Sequence, residues 1–133
     1  AKGASALIAM ARRARDEIHA GRQLIIFPEG TRRPPGAPPD YKSGIALLYK
    51  ESNVVCLPLA LNSGLFWPRR SLRKYPGTIV VEFLPPIPPG RESKAFLAEL
   101  EAAIETASDR LLAEAAAAAR ALAEKSGEGA RAH

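Results

Sequence analysis

The sequence is short of the features that staple a chain or carry it through a membrane. Its one cysteine, Cys56, excludes an internal disulfide and says little about compartment. Set inside an apolar run, the Cys56 thiol reads as an unreactive core group. No apolar stretch approaches the roughly 20 residues that span a bilayer. Lys2 to Met10 is too short for a secretory leader and runs into Arg12-Arg13. No internal repeat is visible. No initiator methionine is present, which fits either processing or a fragment. What the 133 residues do offer is one domain with a modest core, at 47% apolar and 25% charged. Nineteen basic against 14 acidic residues leave a net charge of +5. That balance suits an acidic partner: phosphate, nucleic acid or anionic lipid.

Leu7, Ala11, Ala14 and Ile18 recur at helical spacing and predict a helix over 4–20, stopped by Gly21. Gln23 to Phe27 reads as a short buried strand. The segment Pro34 to Asp40 must be a loop, because its prolines lack donors and fix φ. Ser43 to Glu51 returns to helix, with Ile45, Ala46, Leu48 and Tyr49 inward. Val54 to Leu61 is a second apolar strand and Thr78 to Leu84 a third, rich in β-branched residues. Pro85 to Gly90 is a stiff connector. A long helix follows from Glu92 to about Lys125, with Phe96, Leu100, Ile104, Ala107 and Leu111 as its apolar stripe, and Ser126 to His133 should fray. The order α-β-α-β-β-α predicts an α/β fold in which two strands flank a crossover helix. Three strands make a small sheet, so the chain is either a small domain or a piece of a larger one.

Three stretches could carry function. The first is Phe27-Pro28-Glu29-Gly30-Thr31-Arg32, which puts charge at the end of an apolar run. Such strand ends are where open α/β sheets hold ligands. Glu29 and Arg32, three apart, are either a local ion pair that stabilises a turn or part of an anion site. Gly30 would let a ligand approach the backbone, Thr31 adds a hydroxyl, and Lys42 opens the next helix. The second, Leu57-Pro58-Leu59-Ala60-Leu61-Asn62-Ser63-Gly64, reads by itself as a buried strand ending in a turn. The third is the run Phe66 to Tyr75, where Trp67, Arg69, Arg70, Arg73 and Lys74 suit an anionic membrane surface. A solvated loop with its aromatics tucked onto the core is the other reading. Stacking of bases between cations is a third, but no nucleic-acid motif accompanies it.

Taken together, the Phe27–Arg32 string, the Lys42-Ser43-Gly44 triplet and the apolar Leu57–Leu61 run resemble the 1-acylglycerol-3-phosphate O-acyltransferase family. The likeness covers roughly 4–89. The six-residue string is specific; the other two are weak alone. The resemblance implies a partial glycerolipid-acyltransferase-like α/β fold, with a small mixed sheet of about three strands and a long C-terminal helix. It places the acyltransferase segment at 1–125 and a disordered tail at 126–133. It implies transfer of a fatty acyl group from acyl-CoA or acyl-carrier protein to the free hydroxyl of a lysophospholipid such as lysophosphatidic acid. By similarity, Glu29, Gly30, Thr31 and Arg32 shape the glycerol-phosphate site. Arg32 binds the phosphate, Lys42 assists, and Glu29 orients Arg32 and the loop. Peripheral attachment at the cytoplasmic face of a membrane is implied; no metal, cofactor or nucleic acid is. The family's catalytic block is His, four residues, then Asp. His19 instead has Leu24 five positions on, and His133 ends the chain. The chain is thus expected to be the C-terminal part of such an enzyme, with no catalytic residue of its own. A module that holds lysophospholipid or anionic membrane without transfer is the alternative.

Overall fold

The computed structural model describes residues 2–31 and 33–131, with the side chains of residue 2 and of 128–131 outside the description. The elements run α1 (Lys2–His19), α2 (Ser43–Ser52), β1 (Leu59–Leu61), α3 (Ser63–Phe66), β2 (Val81–Phe83) and α4 (Ser93–Arg131). The fold is mixed α/β.

The helices form where apolar spacing places them. On α1, Ala11 is buried and Leu7, Ala14 and Ile18 are half-buried. α2 turns Ala46, Leu48 and Tyr49 inward. It ends at Asn53, whose left-handed φ of 50° lets its N–H reach the Tyr49 carbonyl at 3.1 Å. His19 Nε2 lies 2.9 Å from the Ser52 carbonyl, so the end of α1 satisfies an acceptor at the end of α2. α4 buries the expected stripe of Phe96, Leu100, Ala107 and Leu111, with Ile104 half-buried. It runs through Ser126, where fraying is expected, to Arg131. Its start is held by Glu92, whose carboxylate accepts the Lys94 and Ala95 N–H groups at 3.1 Å each. Those bonds hold the Glu92 carboxyl below its ordinary pKa. The Glu92 contribution is therefore complete above the ordinary carboxylate range and is lost as pH falls through the lowered value.

The sheet differs from expectation. It has two strands, not three, and they are antiparallel: Leu59 pairs Phe83, Ala60 pairs Glu82 and Leu61 pairs Val81. A separate bridge joins Cys56 to Ile87 through bonds of 2.9 and 2.8 Å. Gln23 to Phe27 forms no strand; Ile25 and Phe27 are 77% and 66% exposed. An apolar run becomes a strand only when a neighbour completes its ladder, and none lies beside it among the described residues. No β-α-β crossover forms here for the same reason.

One core joins Ala46 and Tyr49 of α2, Ile87, and Phe96 and Leu100 of α4, with half-buried Cys56 against it. Burial raises the Cys56 thiol pKa, as an inert core group requires. Ile87 is 2% exposed although prolines flank it on both sides. A second cluster packs Ala60 of β1 on Ala107 and Leu111 of α4. Phe96→Ala should therefore lower unfolding stability by about 3–5 kcal/mol, measured by urea denaturation. A loss below 1 kcal/mol, on the order of a surface change, would mean the Phe96 site is not the centre of the core.

Candidate functional site

The described part of the string, Phe27 to Thr31, begins with a tight turn against the start of α2. The Gly30 N–H donates to the Phe27 carbonyl at 2.9 Å, with Pro28 at the turn's second position, where its fixed φ fits. Gly30 takes φ +68°, a conformation strained for any other residue. The Lys42 N–H donates to the Pro28 carbonyl at 2.9 Å and ties the turn to the residue that precedes α2.

Side chains lock the two ends of the proline-rich loop together. Glu29 Oε1 accepts the Asp40 N–H at 3.0 Å and lies 3.7 Å from Arg33 Nε. Arg33 Nη1 lies 3.4 Å from Asp40 Oδ2, and Lys42 Nζ holds the same oxygen. The Lys42 hydrogen bond, then its charge, keeps the Asp40 carboxyl below its ordinary pKa. The loop is also pinned to α4: the Tyr41 hydroxyl donates to Glu105 at 3.0 Å. Burial first, and the Glu105 bond second, push the Tyr41 pKa upward, so it stays a protonated donor.

The structure thus brings Glu29, Gly30 and Lys42 together, with Thr31 exposed just after the turn. Arg32 lies outside the described residues. Glu29 braces the loop through the Asp40 N–H and Arg33. Arg33, which sequence reasoning passed over, is its described partner. The signal was available, because Arg33 is four residues from Glu29 and follows another arginine. His19 is occupied with the Ser52 carbonyl. No group of three or more metal-ligating side chains is found among the described residues. Trp67, Arg69, Arg70, Arg73 and Lys74 are exposed on the loop that follows α3. The α3 residue Gly64 faces Pro35, such that a Cβ added there would sit 3.4 Å from the proline ring. The proline-rich loop and the base of the basic loop are therefore neighbours.

Comparison with known proteins gives a consistent set of relatives. The chain is 34% identical over 109 residues to a 1-acyl-sn-glycerol-3-phosphate acyltransferase of Pseudomonas aeruginosa, covering 82% of this chain and 42% of that protein. A protein of the same name from Cocos nucifera is 35% identical over 75 residues, 56% of this chain and 24% of its own length. One from Limnanthes alba is 38% identical over 65 residues, 48% of this chain and 23% of its own. The chain thus spans less than half the length of the relatives it matches. No protein-family model and no solved structure matches it.

Glu29→Ala removes the acceptor that holds the Asp40 N–H. Asp40 amide exchange should then speed up by about tenfold, the scale of one lost hydrogen bond to a charged group, while the Phe96 amide is unchanged. An unaltered Asp40 rate in NMR exchange would remove Glu29 as the brace.

Proposed function

Along most of its length the chain is homologous to part of the 1-acyl-sn-glycerol-3-phosphate acyltransferases, and from that premise we propose that it supplies the acceptor-phosphate site of such an enzyme. The reaction would move a fatty acyl group from acyl-CoA or acyl-carrier protein to the free hydroxyl of 1-acylglycerol-3-phosphate, a step of phospholipid biosynthesis. The hydroxyl oxygen attacks the thioester carbonyl, its proton passes to a base, and the thiol leaves.

The observation that carries this reading is the braced turn. Glu29 and Lys42 hold the backbone around Gly30 in one conformation, and an open glycine at φ +68° leaves room for a ligand beside it. A site fixed before binding loses less entropy when the acceptor arrives. Arg32 would take the phosphate through paired donors, a geometry that suits guanidinium better than ammonium. Lys42 would add a point charge, and Asp40 beside it would hold that ammonium in place between turnovers. Thr31 would donate or accept at the acceptor's glycerol end. The acceptor is an amphiphile, so the protein would work as a peripheral protein at the cytoplasmic face of a membrane. No helix among the described residues is long and apolar enough to cross one.

One observation favours binding without transfer by this chain alone. His19 bonds a backbone carbonyl and is followed at the fifth position by Leu24, so neither it nor a partner carboxylate makes a general base. The 133-residue chain assayed alone should fall short of a full-length relative by at least the roughly 10²–10⁴-fold typical of a missing general base. Turnover comparable to the full-length relative would overturn that expectation. In a full-length context, Arg32→Ala should raise the KM for 1-acylglycerol-3-phosphate by on the order of tenfold or more, the scale of a lost charged hydrogen bond. The KM for the acyl donor should hardly change, and equal losses for both substrates would remove Arg32 from the phosphate.

A further inference from the structure

The residues between Glu51 and Glu82 contain no carboxylate, yet they hold Arg69, Arg70, Arg73 and Lys74 within six positions. All four are exposed, and none takes part in a side-chain ion pair among the described residues. The loop that bears them is built, not loose. The Tyr75 N–H donates to the Phe66 carbonyl at 2.8 Å and closes its neck. Gly77 lies so close to the Phe66 ring that a Cβ there would come within 2.0 Å of it. Inside the loop, Arg70 takes φ 58°, the Ser71 N–H reaches the Pro68 carbonyl at 3.4 Å, and the Arg73 N–H reaches Ser71 Oγ at 3.1 Å.

That framework holds apolar side chains outward beside the cations. Leu72 is 102% exposed, so its side chain is fully solvated. Trp67 and Tyr75, at the two sides of the neck, are 49% and 51% exposed. Lys74 Nζ sits 4.4 Å from the centre of the Trp67 ring, which keeps that ring and a cation together at one level. Such an arrangement costs hydration of a leucine and two rings in water. It is favourable where a bilayer offers an apolar layer beneath anionic headgroups, with amphipathic rings at the boundary and cations above.

We propose that the Phe66–Tyr75 loop is the element that docks this protein on an anionic bilayer. Leu72 enters the headgroup–acyl boundary, Trp67 and Tyr75 lie at headgroup depth, and the four cations meet lipid phosphates. This rests on the peripheral-membrane reading above and adds the contact element and its depth. Because Gly64 of α3 lies against Pro35, docking would bring the proline-rich loop toward the surface from which a lipid acceptor arrives.

Trp67 is the chain's one tryptophan, so its emission reports the loop alone. The 133-residue chain is titrated with phosphatidylcholine vesicles, with and without phosphatidylglycerol, at low and high salt. Binding should require the anionic lipid, weaken steeply with salt and shift Trp67 emission to the blue. Arg69, Arg70, Arg73 and Lys74 all changed to Ser should weaken it by on the order of a hundredfold or more. Leu72→Ser should keep the salt dependence and lessen the blue shift. Absence of binding by the parent chain, or equal binding by the four-Ser variant, would overturn the proposal. So would tighter binding to single-stranded DNA than to vesicles, which would assign the loop to base stacking. The salt titration of the parent needs no variant to fold. The acceptor site is judged separately by the Arg32→Ala kinetics, so the two readings can fail independently.

Discussion

Tyr49 of α2 lies flat on Phe96 of α4, with ring centroids 3.8 Å apart and planes 3° from parallel. Its hydroxyl donates to the Pro88 carbonyl and accepts the Arg91 N–H at 3.0 Å. One side chain thus fixes three segments: the short helix, the proline-rich connector and the start of the long helix. Because α2 begins at the candidate site, the position of that site relative to α4 depends on this stack. Tyr41, bonded to Glu105 one face further along α4, repeats the tie at the site itself. Gly44 helps the arrangement, since a Cβ there would sit 3.2 Å from Leu7 Cδ1 of α1 and push that side chain back by a few tenths of an ångström.

The site is an electrostatic compromise. Glu29 and Asp40 are the carboxylates that shape the loop, through Arg33 and through Lys42, and of these two Lys42 is also the one proposed to assist with a phosphate. Each pairing fixes a side chain and also offsets part of its charge. The exposed partners contribute little stability by themselves. Their value is geometric, because a turn held from both ends presents its backbone in one form.

The helices were legible because their signal is local. The spacing of Leu7, Ala11, Ala14 and Ile18, and that of Phe96 to Leu111, states which face is buried without reference to any neighbour. The run at Leu24–Phe27 carries an equally strong apolar signal but ends up exposed and unpaired, since pairing is a property of the neighbour and not of the run. Ile87 failed the opposite way. Four prolines mark its surroundings as a connector, yet its N–H and C=O both bond Cys56 and its side chain enters the core. At the site, the turn and the Lys42 approach could be anticipated from Pro28, Gly30 and the glycine-lysine spacing. The Arg33–Glu29–Asp40 brace could not, because it depends on how the intervening prolines bring residue 40 back to residue 29.

α4 reaches far beyond the core it serves. Its last buried residue among those described is Leu111, Ala115 is still half-buried, and the helix continues for another 16 residues to Arg131. At 1.5 Å per residue, that is roughly 24 Å of rod standing clear of the globule. Solvent drag on the molecule is then set as much by this boom as by its compact half, so its apparent hydrodynamic size exceeds what 14.2 kDa of packed protein would give. The boom's stability rests on alanine propensity, not on burial, so its turns should unwind from the free end without disturbing the Tyr49–Phe96 stack.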